Sequence, residues 1–151
     1  MIHSNDVGYL IGKATRLMRR NIGKLLWDTG ITFPQMMVIN YLYMNQKYKK
    51  DNFLNTPAMI AKHLDYDRPT VTGILTRLDK QGWITREENI EDKRSQIINL
   101  AEKSNELMKK FHLILDDLNK DILKGFQESE IKSLKTNLTK IIDNLEKLGQ
   151  Y

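Results

Sequence analysis

Apolar residues recur at helical spacing through Val7, Leu10, Ile11, Ala14, Leu17, Met18, Leu25 and Leu26, which predicts an amphipathic helix over Val7 to Leu26. Gly30 is the residue expected to stop it. Thr32 as N-cap and Pro34 just inside then start a second helix whose apolar stripe is Met37, Val38, Tyr41 and Leu42. The polar, lysine-rich stretch Gln46 to Asn55 has no strong period and reads as a loop. Thr56-Pro57 marks a sharp start. A threonine hydroxyl accepts from an otherwise unpaired backbone N–H, and proline at the first helical position gives up no needed donor. Ile60, Ala61 and Leu64 mark the buried side of this short third helix.

After only Asp65-Tyr66-Asp67 the period resumes at Val71, Ile74, Leu75 and Leu78, with Asp67 placed as N-cap. Two helices joined by so short a turn must cross steeply, which is a helix-turn-helix. Gly82 closes the second of them. Trp83 to Arg86 and Gln96 to Leu100 are short strand-like runs on either side of the polar stretch Glu87 to Ser95, so the two make a wing. A long helix over Glu102 to Phe126, broken near Gly125, follows. In the last helix Ile131, Leu134, Leu138, Ile141, Leu145 and Leu148 step by 3, 4, 3, 4 and 3, a coiled-coil seam. The expected fold is mainly α with a small β wing.

Charge shifts this picture less than its size suggests. The net charge of +5 lies entirely in residues 1–51, where eight Lys/Arg face three Asp; residues 52–100 hold seven of each sign. Net basicity therefore does not mark the winged segment as a DNA reader. The basic face Lys13, Arg16, Arg19, Arg20 and Lys24 is as readily a solvated helix surface as a phosphate or ligand contact. At 151 residues with 40% hydrophobic content the chain is the size of one ordinary domain. No apolar run is long enough to cross a bilayer and no signal sequence is visible, so a cytoplasmic location is expected. The absence of cysteine excludes disulfides, thiolate metal sites and thiol-based sensing.

A helix that enters a major groove needs one stripe to anchor it and an opposite stripe of donors and small residues. Steps of about 100° per residue place Pro69, Gly73, Thr76 and Lys80 opposite the apolar stripe, flanked by Thr72 on one side and by Thr70 and Arg77 on the other. Glycine within a helix costs about 1 kcal/mol against alanine, so something should gain from close approach at Gly73. Asp92-Lys93-Arg94 sits just before the return strand. An arginine there can enter a narrow minor groove while the neighbouring aspartate restrains its guanidinium.

Taken together, Ile60-Ala61-Lys62-His63-Leu64, Arg68-Pro69-Thr70-Val71-Thr72-Gly73-Ile74-Leu75, Arg77-Leu78, Gly82 and Asp92-Lys93-Arg94 resemble the MarR family of bacterial regulators. The resemblance covers nearly the whole chain. It implies a homodimer with a helical dimerisation region at residues 1–30 and 101–151 and a winged helix-turn-helix lobe at 31–100. Each lobe would bind half of a pseudo-palindrome in double-stranded DNA, most simply as a repressor. DNA contacts would come from Arg68, Pro69, Thr70, Thr72, Gly73, Thr76 and Arg77, and from Arg94 in the minor groove. Three features depart from the family pattern: Asp65 replaces a turn glycine, Ala101 and Ser104 weaken the expected cap of the long helix, and the loop after the second helix is long.

The resemblance also implies a small anionic or aromatic effector between the dimer helices and the lobe, with Tyr9, Arg16, Arg20 and Trp27 as candidates that packing and solvation explain equally well. Three histidines and no cysteine give little material for other chemistry. His112 and Asp116 could supply two metal ligands but read better as a surface or interface pair, and Asp116-Asp117 lacks a spaced partner for acid and base work. No catalytic, cofactor or metal site is expected. The alternative function is a dimeric protein-interaction module on the same scaffold without DNA binding.

Overall fold

The computed structural model describes residues 6–48 and 55–148. Helix α1 (Val7–Leu25) starts at Asp6, whose carboxylate accepts from the Gly8 N–H at 2.8 Å. A 3-10 turn (Trp27–Thr29) follows, and Gly30 ends it in the left-handed region at φ 67°. Helix α2 (Phe33–Tyr48) begins where Gln35 reaches back, its Oε1 accepting from the Thr32 N–H at 2.8 Å. The helix runs on through Gln46, Lys47 and Tyr48, which corrects the loop expected from Gln46. Lys47 in the last turn complements the negative end of the helix dipole, so polar composition there did not mean irregular backbone. The remainder of that expected loop, residues 49–54, lies outside the described residues.

Helix α3 (Pro57–Leu64) is capped by Thr56, whose hydroxyl accepts from the Met59 N–H at 3.3 Å. Asp65 then takes φ 54° and ψ 42°, the left-handed turn that glycine would adopt without strain; aspartate tolerates it better than most residues. Helix α4 (Arg68–Lys80) ends in paired bonds from the Gly82 N–H to the Asp79 carbonyl (2.8 Å) and from the Trp83 N–H to the Leu78 carbonyl (2.9 Å). With its N–H spent on the helix end, Trp83 cannot open the strand as expected. Strand β1 is Ile84–Glu88, shifted toward the tip, and pairs antiparallel with β2 (Gln96–Leu100), Ile84 opposite Leu100 and Glu88 opposite Gln96.

The core of this lobe is a single apolar cluster. Val71, Ile74, Leu75 and Leu78 of α4 are buried, as are Ile60 and Ala61 of α3, Met36, Val38, Ile39 and Leu42 of α2, and Ile84 and Ile98 of the wing strands. The Ile98 N–H donates to the Asn55 carbonyl at 2.9 Å, tying β2 to the approach to α3. Helix α5 (Glu102–Ile122) is shorter than expected, because the chain turns before Gly125, which sits at φ 90°. Its start is secured in an unexpected way. Ser104 is fully buried and its hydroxyl donates to the Trp83 carbonyl, which also accepts from the Ala101 N–H at 3.1 Å.

Contacts divide the chain into two compact units that meet within α5, one ending at Phe111 and the other beginning at His112. The second unit contains the rest of α5 and helix α6 (Glu128–Leu148), and none of its described residues is buried. Its apolar seam, including Leu134, Leu138, Leu145 and Leu148, is exposed. Among the described residues no helix is long and apolar enough to cross a membrane.

Candidate nucleic-acid interface

Helix α4 is held at both ends before it presents anything. At its start Asp67 Oδ1 accepts from the Thr70 N–H and Oδ2 from the Thr70 hydroxyl, both at 2.7 Å. The Thr70 backbone N–H first, and then its hydroxyl, hold the Asp67 carboxyl below its ordinary value. Near the other end Asp79 Oδ2 accepts from Arg86 Nε at 2.8 Å, and the same guanidinium donates to Gln96 Oε1 at 3.1 Å. One arginine on β1 thus joins α4 to both wing strands.

Between these anchors the apolar stripe faces inward and Arg68, Pro69, Thr70, Thr72, Thr76 and Arg77 are exposed, with Gly73 half-buried. The Thr72 and Thr76 hydroxyls donate to the carbonyls of Arg68 (2.9 Å) and Thr72 (2.8 Å). Their methyls and oxygen lone pairs therefore remain for an outside partner. A Cβ added at Gly73 would meet only the Arg77 guanidinium, at 3.7 and 3.9 Å, which is ordinary contact. Nothing within the described chain requires glycine there.

The wing tip is a built turn. Asn89 is buried; its Oδ1 accepts from the N–H groups of Glu91 (3.0 Å) and Asp92 (3.3 Å), and its Nδ2 donates to Ser95 Oγ at 2.9 Å. Asp92 Oδ1 accepts from the backbone N–H of Arg94 at 3.0 Å. The sequence led us to expect Asp92 to restrain the Arg94 guanidinium; it fixes the Arg94 backbone instead. Sequence reasoning missed Asn89, Arg86 and the apolar tip residue Ile90, 91% exposed. An asparagine in the polar stretch between two strand-like runs is the signal of an Asx turn that could have found the first.

Arg68 and Thr72 of α4, Arg94 and Ser95 of the wing, and Thr56 and Pro57 at the start of α3 line one groove of about 500 Å³. The structure therefore brings Arg68, Thr72 and Arg94 together, while Pro69, Thr70, Gly73, Thr76 and Arg77 lie outside the groove on α4. An anion in it would meet the guanidinium-bearing Arg68 and Arg94, and also the carboxylate of Asp92, which lines the same groove. Elsewhere, Tyr9, Arg16 and Arg20 share one face of α1 with Lys13 and Leu17, whereas Trp27 is exposed outside that face. His63 packs against Tyr41, ring centroids 4.6 Å apart. Among the described residues no three His, Cys, Asp or Glu side chains are grouped to hold a metal.

A helix-turn-helix followed by a pinned two-stranded wing, with arginines from both lining one groove, defines the winged-helix class of nucleic-acid-binding fold. The MarR family model matches residues 29–95. The chain is 29% identical over 143 residues, 93% of its length and 90% of the relative's, to the organic hydroperoxide resistance transcriptional regulator of Bacillus subtilis (strain 168). It is 30% identical over 88 residues, 58% of its length and 61% of the relative's, to the multiple antibiotic resistance protein MarR of Escherichia coli (strain K12). The structure of S. aureus MepR in complex with DNA superposes with a TM-score of 0.82 at 28% identity, covering 92% of this chain and 98% of that one. The chain is thus similar to MarR-family regulators, the family model spanning its helix-turn-helix and most of its wing.

Proposed function

We propose that this protein is a DNA-binding transcriptional regulator that acts as a homodimer in the cytoplasm, each subunit reading one half of a pseudo-palindromic operator, and that it is a repressor released by a small effector. In this reading α4 lies in the major groove, with Arg68, Pro69, Thr70, Thr72, Gly73, Thr76 and Arg77 toward the bases and backbone, and Arg94 enters the adjacent minor groove. The observation that carries it is the groove shared by Arg68, Thr72 and Arg94, into which a phosphate strand running between the two DNA grooves would fit. The similar MepR in complex with DNA supports it, and disfavours an interaction module that has no use for DNA. Dimerisation is supported by the exposed apolar residues of α1, α5 and α6, such as Leu10, Ile114 and Leu138.

The test is fluorescence anisotropy of the full chain with a duplex from upstream of its own coding sequence and with a scrambled duplex, over a salt series. Specific binding should be about a thousandfold tighter or more and weaken steeply with salt. Equal, salt-independent affinities would sink the proposal. Sedimentation at micromolar concentration should give twice the chain mass, and a monomer would remove the dimer from it.

A further inference from the structure

The wing is anchored at its root and carries Arg94 near its tip. Ile84 of β1 and Ile98 of β2 are buried in the lobe core, whereas Glu87, Glu88 and residues 90–94 are exposed. A two-stranded hairpin has little stability of its own, so beyond those two isoleucines its direction must be fixed by something else. Arg86 stands where the apolar anchorage runs out, opposite Ile98 in the strand register. Its Nε donates to Asp79 Oδ2 of α4 at 2.8 Å, and the same guanidinium donates to Gln96 Oε1 of β2 at 3.1 Å. Among the described residues, the bond to Asp79 is the one side-chain hydrogen bond between α4 and a wing strand. Gln96 lines the groove that Arg68, Thr72 and Arg94 share; Arg86 does not. Gln96 also lies two residues from Arg94, whose backbone N–H is held by Asp92 Oδ1 at 3.0 Å. Arg86 therefore reaches the groove only through the residues it holds. With side chains 25% and 44% exposed, Arg86 and Asp79 form a surface ion pair, a kind that contributes little to stability.

We infer that Arg86 is a positioning residue for DNA recognition: by fastening β1 to Asp79 and β2 through Gln96, it sets the separation between the exposed face of α4 and Arg94. The inference rests on the DNA-binding reading and deepens it. A wing held at a fixed distance from α4 requires the minor groove to have the right width and path at the same time as the bases under the helix are met. A loose wing meets the two independently and must be ordered on binding, which weakens the complex.

The test is a double-mutant cycle on the full chain, read by anisotropy with the operator duplex. Arg86→Met keeps the aliphatic stem and removes both donors; it should weaken binding about tenfold while the unfolding midpoint stays in place. Arg94→Ala, which alone should weaken binding about fivefold to a hundredfold, should cost less than about threefold when added to Arg86→Met, because a loose wing no longer delivers Arg94. Additive losses would overturn the assignment. Exchanging the pair, Asp79→Arg with Arg86→Glu, rebuilds the ion pair in the opposite sense and lets the Gln96 amide donate to the new carboxylate. The exchange should recover most of the affinity that either single change loses. Failure of the exchange in a chain that keeps its unfolding midpoint would mean that Arg86 itself touches DNA, where a carboxylate repels phosphate, and would also overturn the assignment. In the free protein, residual dipolar couplings of the Lys93 and Arg94 N–H groups should follow the orientation of α4, and Arg86→Met should scale them down; unchanged couplings would sink the idea. This last measurement needs no DNA. Loosened couplings in a protein that ignores its operator defeat the regulator reading and leave the hold of Arg86 on the wing standing; specific binding with additive losses and unchanged couplings defeats the positioning role alone.

Discussion

The winged lobe and helix α6 are built from similar apolar periodicities and end up in opposite conditions. In the lobe, every member of the α4 stripe is buried against α2, α3 or the wing. In α6 the stripe is as regular, yet no residue is buried. Periodicity alone says that a helix has an apolar side; the surrounding chain decides whether that side is satisfied within one subunit. The α4 stripe is satisfied within its own subunit, while α6 presents an exposed apolar seam.

The largest effect should separate the two. Leu78→Ala empties a fully buried site and should cost about 2–5 kcal/mol at any protein concentration. Leu138→Ala, on the exposed seam, should change the chemical-denaturation midpoint only through association, so its effect should shrink as protein is diluted. A concentration-independent loss at Leu138 would erase the contrast. Within the lobe, Arg94→Ala should weaken operator binding by about 1–3 kcal/mol with unfolding unchanged, since its side chain is exposed at a tip that Asn89 holds. Unchanged anisotropy would remove Arg94 from the interface.

Gly73→Ala should move stability and affinity in opposite directions. The helix gains up to about 1 kcal/mol, because the new methyl meets only the Arg77 guanidinium, while close approach to DNA is lost. An alanine variant that binds as well as the parent would show that the glycine serves no contact. The smallest effect is the pH dependence of the α4 cap. Because folding lowers the Asp67 value from its ordinary 3.8, its contribution is present above that pH and is lost as pH falls through the lower folded value. Asp67→Asn keeps a capping oxygen but cannot titrate, so it should flatten that part of the acid-stability curve measured by circular dichroism.

Local signals were legible in the sequence where one residue dictates one geometry. Thr56-Pro57, Asp67 and Gly82 announced helix ends that the structure reproduces in hydrogen bonds. Where competition decides, the sequence was silent or misleading. Polar Gln46 to Tyr48 stayed helical, and Trp83 gave its N–H to a helix end before a strand could use it. For the candidate site, the sequence supplied the residues on α4 and Arg94 but not the pieces that hold them in relation. The Arg86 bridge spans seven residues to Asp79 and ten to Gln96, and no periodic pattern encodes such a meeting. The contact between Tyr41 and His63 was invisible for the same reason, since the two rings meet only when α2 and α3 pack.

The bonds at the Trp83 carbonyl have a consequence for how such a regulator could change its preferences. With the Ala101 N–H and the Ser104 hydroxyl both gathered on that one oxygen, the chain enters and leaves the wing through a fastened root. The hairpin is in effect a ring whose closure has been settled at its base, so residues added or exchanged beyond Glu88 lengthen a loop already closed and add little entropic cost. The tip is therefore an exchangeable part: its length and side chains can drift to suit a new groove while the lobe that carries it keeps its fold.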